Sequence, residues 1–258
     1  MINVLELARI ADDVYLDASH GSGGWHRIVN RPANGGKTGF FGASYRKGNV
    51  IVIAFRGSET KDFGNDWIVN DGAIICKVFP LPQIREAEAF TASVLATAGH
   101  ACTIYILGHS LGGALAQVVA GHRSGMTGVT FNAPGMGDHK FAGHPKWGNA
   151  GHVVNLRAQG DPVSKIGKHI GKGPIMIRCP HGAGGGHKTH VFHGHGGNHF
   201  LGFLHQAEDA MHNAANAVAH AGASLMHDAK AHTMGSVLLH LKHDPIASHT
   251  PAQLLARH

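Results

Sequence analysis

The chain has 258 residues, 43% of them hydrophobic and 15% charged, with 22 Lys and Arg against 16 Asp and Glu for a net charge of +6. That length and apolar content suit one large domain with a full core, and the spread positive excess, without basic runs interleaved with aromatics, excludes an obvious nucleic-acid binder. Cys76, Cys102 and Cys179 form an odd set without CxxC spacing, which argues against a disulfide framework and for a reducing compartment or buried thiols.

The N-terminal stretch "MINVLELARIADDVYLD" carries acidic residues where a signal peptide needs a long apolar run. It reads as an amphipathic helix, with Leu5, Ala8, Ile10, Ala11 and Val14 near helical spacing. No apolar run is long enough to span a bilayer. The expected location is cytoplasmic, or outside the cell by a signal-independent route. The positive balance reads first as the basic excess of a soluble protein, with transient contact to an anionic membrane or micelle surface as the second reading.

"GSGGWHRIVNRPANGGKTG" reads as loop from its Gly, Asn and Pro content. "FFGASYRKGNVIVIAFRGS" reads as two strands joined by a turn at "RKGN". The second, from Val50 to Phe55, is apolar throughout, as expected of a strand covered on both faces. "LPQIREAEAFTASVLATAG" reads as a helix ending at Gly99. "CTIYIL" follows as a buried strand and "LGGALAQVVAGHRSG" as a helix. "GVTFNAP", "HVVNLRA" and "PIMIRC" are three further short strands. From "NHFLGFLHQ" to Lys242 the pattern is helical, with breaks expected at Gly222 and Gly235. Alternating strands and helices specify an α/β class with a mostly parallel central sheet flanked by helices. The expected division is one α/β domain over 1–210, with a helical, His-rich extension over 211–258 packed on it.

One short stretch carries chemistry. Gly108-His109-Ser110-Leu111-Gly112 fits G-x-S-x-G between a strand and a helix, the context of a nucleophile elbow. The turn is so tight that side chains two residues either side of the serine would collide. The same geometry lifts the Ser110 hydroxyl above the sheet edge and aims the Leu111 backbone N–H at the same space. A serine needs a base, and the base needs an orienting acid. In this fold the acid follows the serine in the chain and the base comes last. Asp161, just past "VVNLRA" and fixed by Pro162, is the candidate acid, with Asp138 after "NAPGMG" as its rival.

"VIAFRGS", "DWIVND", "GHSLGGALA", "FNAPG" and "GDPVSKIGKHIG", in that order, resemble the class 3 lipase family, the α/β-hydrolases related to fungal triacylglycerol lipases, and in particular its bacterial members. The likeness runs over residues 45–210. It implies an α/β-hydrolase fold and a lipase or esterase that needs no metal or cofactor, with a lipid or ester as substrate. It also implies roles. Ser110 falls on the nucleophile, Asp161 on the acid, and Ser58 after "FRG" on the oxyanion hole beside Leu111. The base is expected to open the last helix, which points to His199, with His193 and His195 as alternatives. The family's lid begins within residues 59–82.

Histidine complicates that choice: 15 of the chain's 24 histidines follow residue 180. His205, His212, His220 and His227 recur along one helical stripe, which reads as a solvated polar face or a transition-metal site. The resemblance leaves triacylglycerol lipase, phospholipase A1 and small-ester esterase unseparated. A phospholipase A1-type antibacterial effector is one alternative, a non-enzymatic His-rich metal-binding protein another, and an acyltransferase or thioesterase on the same scaffold a third.

Overall fold

A computed structural model of the protein describes residues 2–31, 38–57, 81–99, 102–138, 147–178 and 232–256. Seven strands form one sheet in sequential order: β1 (His26–Arg31), β2 (Gly42–Lys47), β3 (Val50–Phe55), β4 (Thr103–His109), β5 (Met126–Phe131), β6 (Val153–Ala158) and β7 (Lys172–Ile177). β1, β2 and β3 pair antiparallel, and β3 to β7 run parallel. The helices are α1 (Val4–Asp13), α2 (Leu81–Ala98), α3 (Leu111–His122), α4 (Met234–Leu241) and α5 (Pro251–Ala256). This is the α/β-hydrolase architecture expected from the sequence: a mostly parallel sheet flanked by helices.

The order explains the layers. From β3 to β5 every step moves the same way across the sheet, and right-handed crossovers then place α2 and α3 on one face. Strand periodicity splits β3 accordingly. Ile51, Ile53 and Phe55 face α2 and α3, against Ile84, Phe90, Leu115 and Val118. Val52 and Ala54 face the other way, among Leu107, Val129, Phe131 and Leu156. That second face receives no crossover helix among the described residues. It is covered instead by α1 through Val4, Leu7, Ala8 and Ala11, and by Met234, Val237, Leu241 and Leu254 from α4 and α5. Each buried Val, Leu and Met side chain among these contributes roughly 1.5–3 kcal/mol of transfer free energy.

α1 starts as its sequence dictates. The Asn3 side chain accepts from the Glu6 N–H at 2.9 Å, and Glu6 accepts from the Asn3 N–H at 3.2 Å, a reciprocal cap. The same end of the helix is joined to the segment before α5, where the Val4 N–H donates to the His249 carbonyl at 3.0 Å.

Three expectations need correction. The stretch read as loop holds β1, whose six residues "HRIVNR" stand at the edge of the sheet and, among the described residues, pair only with β2. Gly235 does not break the helical pattern but lies in the first turn of α4. α5, after Pro251, was not foreseen. The domain boundary at 210, residues 59–80 of the lid stretch and the histidine stripe lie outside the described residues. Among the described residues, no helix is long and apolar enough to cross a membrane.

Candidate active site

Ser110 directly follows β4 and stands as the N-cap of α3, at φ 56° and ψ −126°. A residue with a Cβ rarely adopts that conformation, and holding one there costs on the order of 1–3 kcal/mol. The glycines around it have no alternative. A Cβ on Gly108 would lie 2.3 Å from the Gly112 carbonyl carbon, and one on Gly112 would lie 2.1 Å from the Phe55 carbonyl oxygen. The elbow is therefore closed by backbone against backbone, partly against the neighbouring strand β3. An N-cap serine ordinarily turns its hydroxyl back onto the helix. Ser110 makes no such bond, so its hydroxyl is left for another partner.

That partner is an imidazole. His232 Nε2 lies 2.7 Å from Ser110 Oγ, and His232 Nδ1 lies 2.7 Å from Asp161 Oδ1. A carboxylate only accepts, so Nδ1 carries the proton and Nε2 is free to accept from the serine hydroxyl. Asp161 sits past the end of β6 with no solvent exposure. Burial pushes its carboxyl upward, but the hydrogen bond and charge of His232, with hydrogen bonds from Ser164, outweigh that and hold it below the usual range. Its second oxygen, Oδ2, accepts from the Ser164 N–H at 2.8 Å. The acid is ionised and fixed at both oxygens.

The imidazole at this position is not one of those read from the sequence. His199, like His193 and His195, lies outside the described residues, and the imidazole between Ser110 and Asp161 belongs to His232. Asp138, the rival acid, is turned elsewhere, with its Oδ2 accepting from the Lys168 N–H at 3.3 Å. The local sequence at His232 is of a kind that other histidines of the chain share. "HTMGSVLLH" sets a histidine directly before Thr233, whose side chain caps α4 by accepting from the Ser236 N–H at 3.1 Å. It is a histidine that opens a helix followed by small and apolar residues. His199, 33 residues earlier in the chain, stands before a similar stretch of small and apolar residues.

His232 is also held through its backbone. Its carbonyl accepts from His109 Nε2 at 2.6 Å and from Asn132 Nδ2 at 3.2 Å. Because a carbonyl only accepts, His109 carries its proton on Nε2. Burial, with the nearby His232 ring, pushes the His109 imidazole down to about 3, so it stays neutral and its Nδ1 accepts from the Tyr15 hydroxyl at 3.1 Å. The Tyr15 oxygen in turn accepts from the Gly57 N–H at 3.0 Å.

Of the expected oxyanion donors, Ser58 lies outside the described residues, directly after Gly57. Leu111 opens α3, so its N–H is one of the first-turn amides with no acceptor inside the helix. Gln117, one face of α3 further on, steadies the loops around the site. It donates to the Pro134 carbonyl at 2.8 Å and accepts from the Ile170 N–H at 3.1 Å. Among the described residues, no group of three or more His, Cys, Asp or Glu side chains could hold a metal ion.

Residues 6–177 match the model of the Tle-like phospholipase domain, a phospholipase-like family. The chain belongs to that family. The part of this Tle-like phospholipase domain that matches contains Ser110 and Asp161 and stops short of His232. A curated relative, an extracellular phospholipase A1 from Serratia liquefaciens, is 31% identical over 143 residues, which are 52% of this chain and 42% of the relative. The chain therefore spans less than half the length of that protein. Among solved structures, lipase II from Rhizopus niveus is 17% identical with a TM-score of 0.46, covering 62% of this chain and 72% of the other. A triacylglycerol lipase from Penicillium expansum is 19% identical with a TM-score of 0.42, covering 64% and 75%.

Proposed function

We infer that the protein hydrolyses carboxylic esters of acyl lipids through an acyl-enzyme on Ser110. The observation that carries this reading is the imidazole of His232 with one nitrogen 2.7 Å from the Ser110 hydroxyl and the other 2.7 Å from a buried carboxylate. His232 removes the hydroxyl proton as Oγ attacks the ester carbonyl, then gives it to the departing alcohol. Asp161 keeps the imidazole in the required tautomer and stabilises its charged form. The oxyanion rests on the amides of Leu111 and Ser58, where losing one donor typically costs about 10²–10³ in rate. Water, activated by the same imidazole, then frees the fatty acid.

Phospholipid is the favoured substrate. The description of the family and the printed name of the Serratia relative both support it. A transient membrane surface, the second reading of the charge, accords with it.

The test is fatty-acid release from phosphatidylcholine and phosphatidylglycerol vesicles carrying distinguishable chains at the two positions, beside a chain-length series of p-nitrophenyl esters. Release from the first position, abolished in Ser110→Ala, is the expected result. A fluorophosphonate probe that fails to label the wild-type chain would sink the reading.

A further inference from the structure

The ring of His232 is oriented by two side chains, but a ring is only as well placed as the backbone that bears it. Asp161 and Ser110 stand at the ends of strands whose ladders fix them. His232 lies on no strand; it precedes the first turn of α4. Two hydrogen bonds at the ring leave the main chain at 232 free to shift, and a displacement of about 1 Å in a catalytic group can cost roughly 10²-fold in rate.

Two buried donors meet that need. His109 Nε2 and Asn132 Nδ2 both donate to the His232 carbonyl, at 2.6 and 3.2 Å, and neither reaches the Ser110 hydroxyl in any hydrogen bond described. Asn132 is fully buried and stands at φ 48°, a left-handed conformation unusual for a residue with a Cβ. Its Oδ1 accepts from the N–H of Ala158, the last residue of β6, at 2.8 Å. One side chain thus ties the strand end that leads to Asp161 to the main chain that carries the base. His109, next to the nucleophile, ties the same carbonyl to the elbow. Tyr15 fixes the His109 tautomer by donating to Nδ1.

We propose that His109 and Asn132 are positioning residues that clamp the backbone carbonyl of His232, holding the base in register with both the nucleophile and the acid. This rests on the triad reading above. The chemistry of the clamp explains the residue types. The donor beside His232 must be neutral, because its ring centroid lies 5.0 Å from an imidazole that becomes positive during the reaction. A buried imidazole held neutral meets that requirement; a lysine or arginine would not.

The experiment compares wild type, His232→Ala, His109→Gln, His109→Leu and Asn132→Asp in the full chain. It reads kcat and KM on a p-nitrophenyl ester, the rate of fluorophosphonate labelling, and Tm. His109→Gln keeps an amide N–H where Nε2–H stood, and Asn132→Asp keeps the acceptor for Ala158 while removing the donor to His232. His109→Leu and Asn132→Asp are expected to lower kcat and labelling about 10- to 100-fold with KM changed less than about twofold, and His109→Gln to stay within about threefold of wild type. Equal losses in His109→Gln and His109→Leu would overturn the clamp, since shape and not the donor would then matter. Wild-type labelling by Asn132→Asp would also overturn it, and that variant carries the test if His109→Leu does not fold. If His232→Ala labels as fast as wild type, the triad reading itself fails and the clamp falls with it.

Discussion

The two faces of the sheet are covered by different kinds of chain. On one, α2 and α3 are crossover helices, each placed by the strands immediately before and after it. On the other, α1 comes from before the sheet and α4 and α5 from after it, so their positions depend on contacts between distant parts of the sequence. The active site draws on both. Ser110 belongs to the locally specified side, at the β4–α3 turn, whereas His232 arrives with the long-range cover. Local order builds the Ser110 elbow, and tertiary assembly delivers the imidazole beside it.

The widest separation is expected from His232→Ala, which removes the base and leaves the sheet as it is. Steady-state kinetics should show kcat down by about 10⁴ or more. A loss under tenfold would mean that the distant cover does not supply the catalytic imidazole.

Next come matched cavities on the two faces, Leu115→Ala on α3 and Leu241→Ala on α4, both side chains almost wholly buried. Each should cost about 2–5 kcal/mol in denaturant unfolding. Only Leu241→Ala should also lower kcat under conditions where the protein stays folded, because it loosens the helix that follows His232. Equal effects on kcat would erase the distinction between the faces.

A smaller effect follows from pH. In the unfolded chain a histidine takes up its proton near 6.5, whereas buried His109 does so only at about 3. Between those values the unfolded state binds the extra proton, so stability falls as pH drops below 6.5. By pH 5 the loss from this one group is about 2 kcal/mol. Urea unfolding of wild type and His109→Gln at pH 7 and pH 5 isolates it, since the other histidines cancel in the difference. A pH dependence unchanged by the substitution would contradict a buried neutral imidazole.

The smallest effect is at the start of the long-range cover. Asn3→Ala removes the cap of α1 and should cost about 1 kcal/mol, read as a lowered urea midpoint with kcat unchanged.

The same contrast decided what the sequence revealed. β3 and β4 were legible because continuous apolar runs mark strands covered on both sides, and α3 followed from the alanine-rich repeat after the elbow. The elbow itself was legible because its glycines answer a local steric demand. Asp161 was legible from its place after a strand. β1 was not, because an edge strand among Gly, Asn and Pro needs no continuous apolar run. His232 was not, because nothing local distinguishes it from other histidines that precede helical sequence. Its role comes from a carboxylate 71 positions away and a carbonyl clamp formed by residues more than 90 positions away.

The backbone of Ser110, held at φ 56° and ψ −126°, has a consequence for how this protein can be improved. Glycine tolerates that conformation without steric cost. Ser110→Gly should therefore melt no lower than wild type despite losing its bond to His232, while being inert. Thermostability screens that ignore turnover will select against the hydroxyl, and the tension between durability and catalysis in this chain is concentrated at one Cβ.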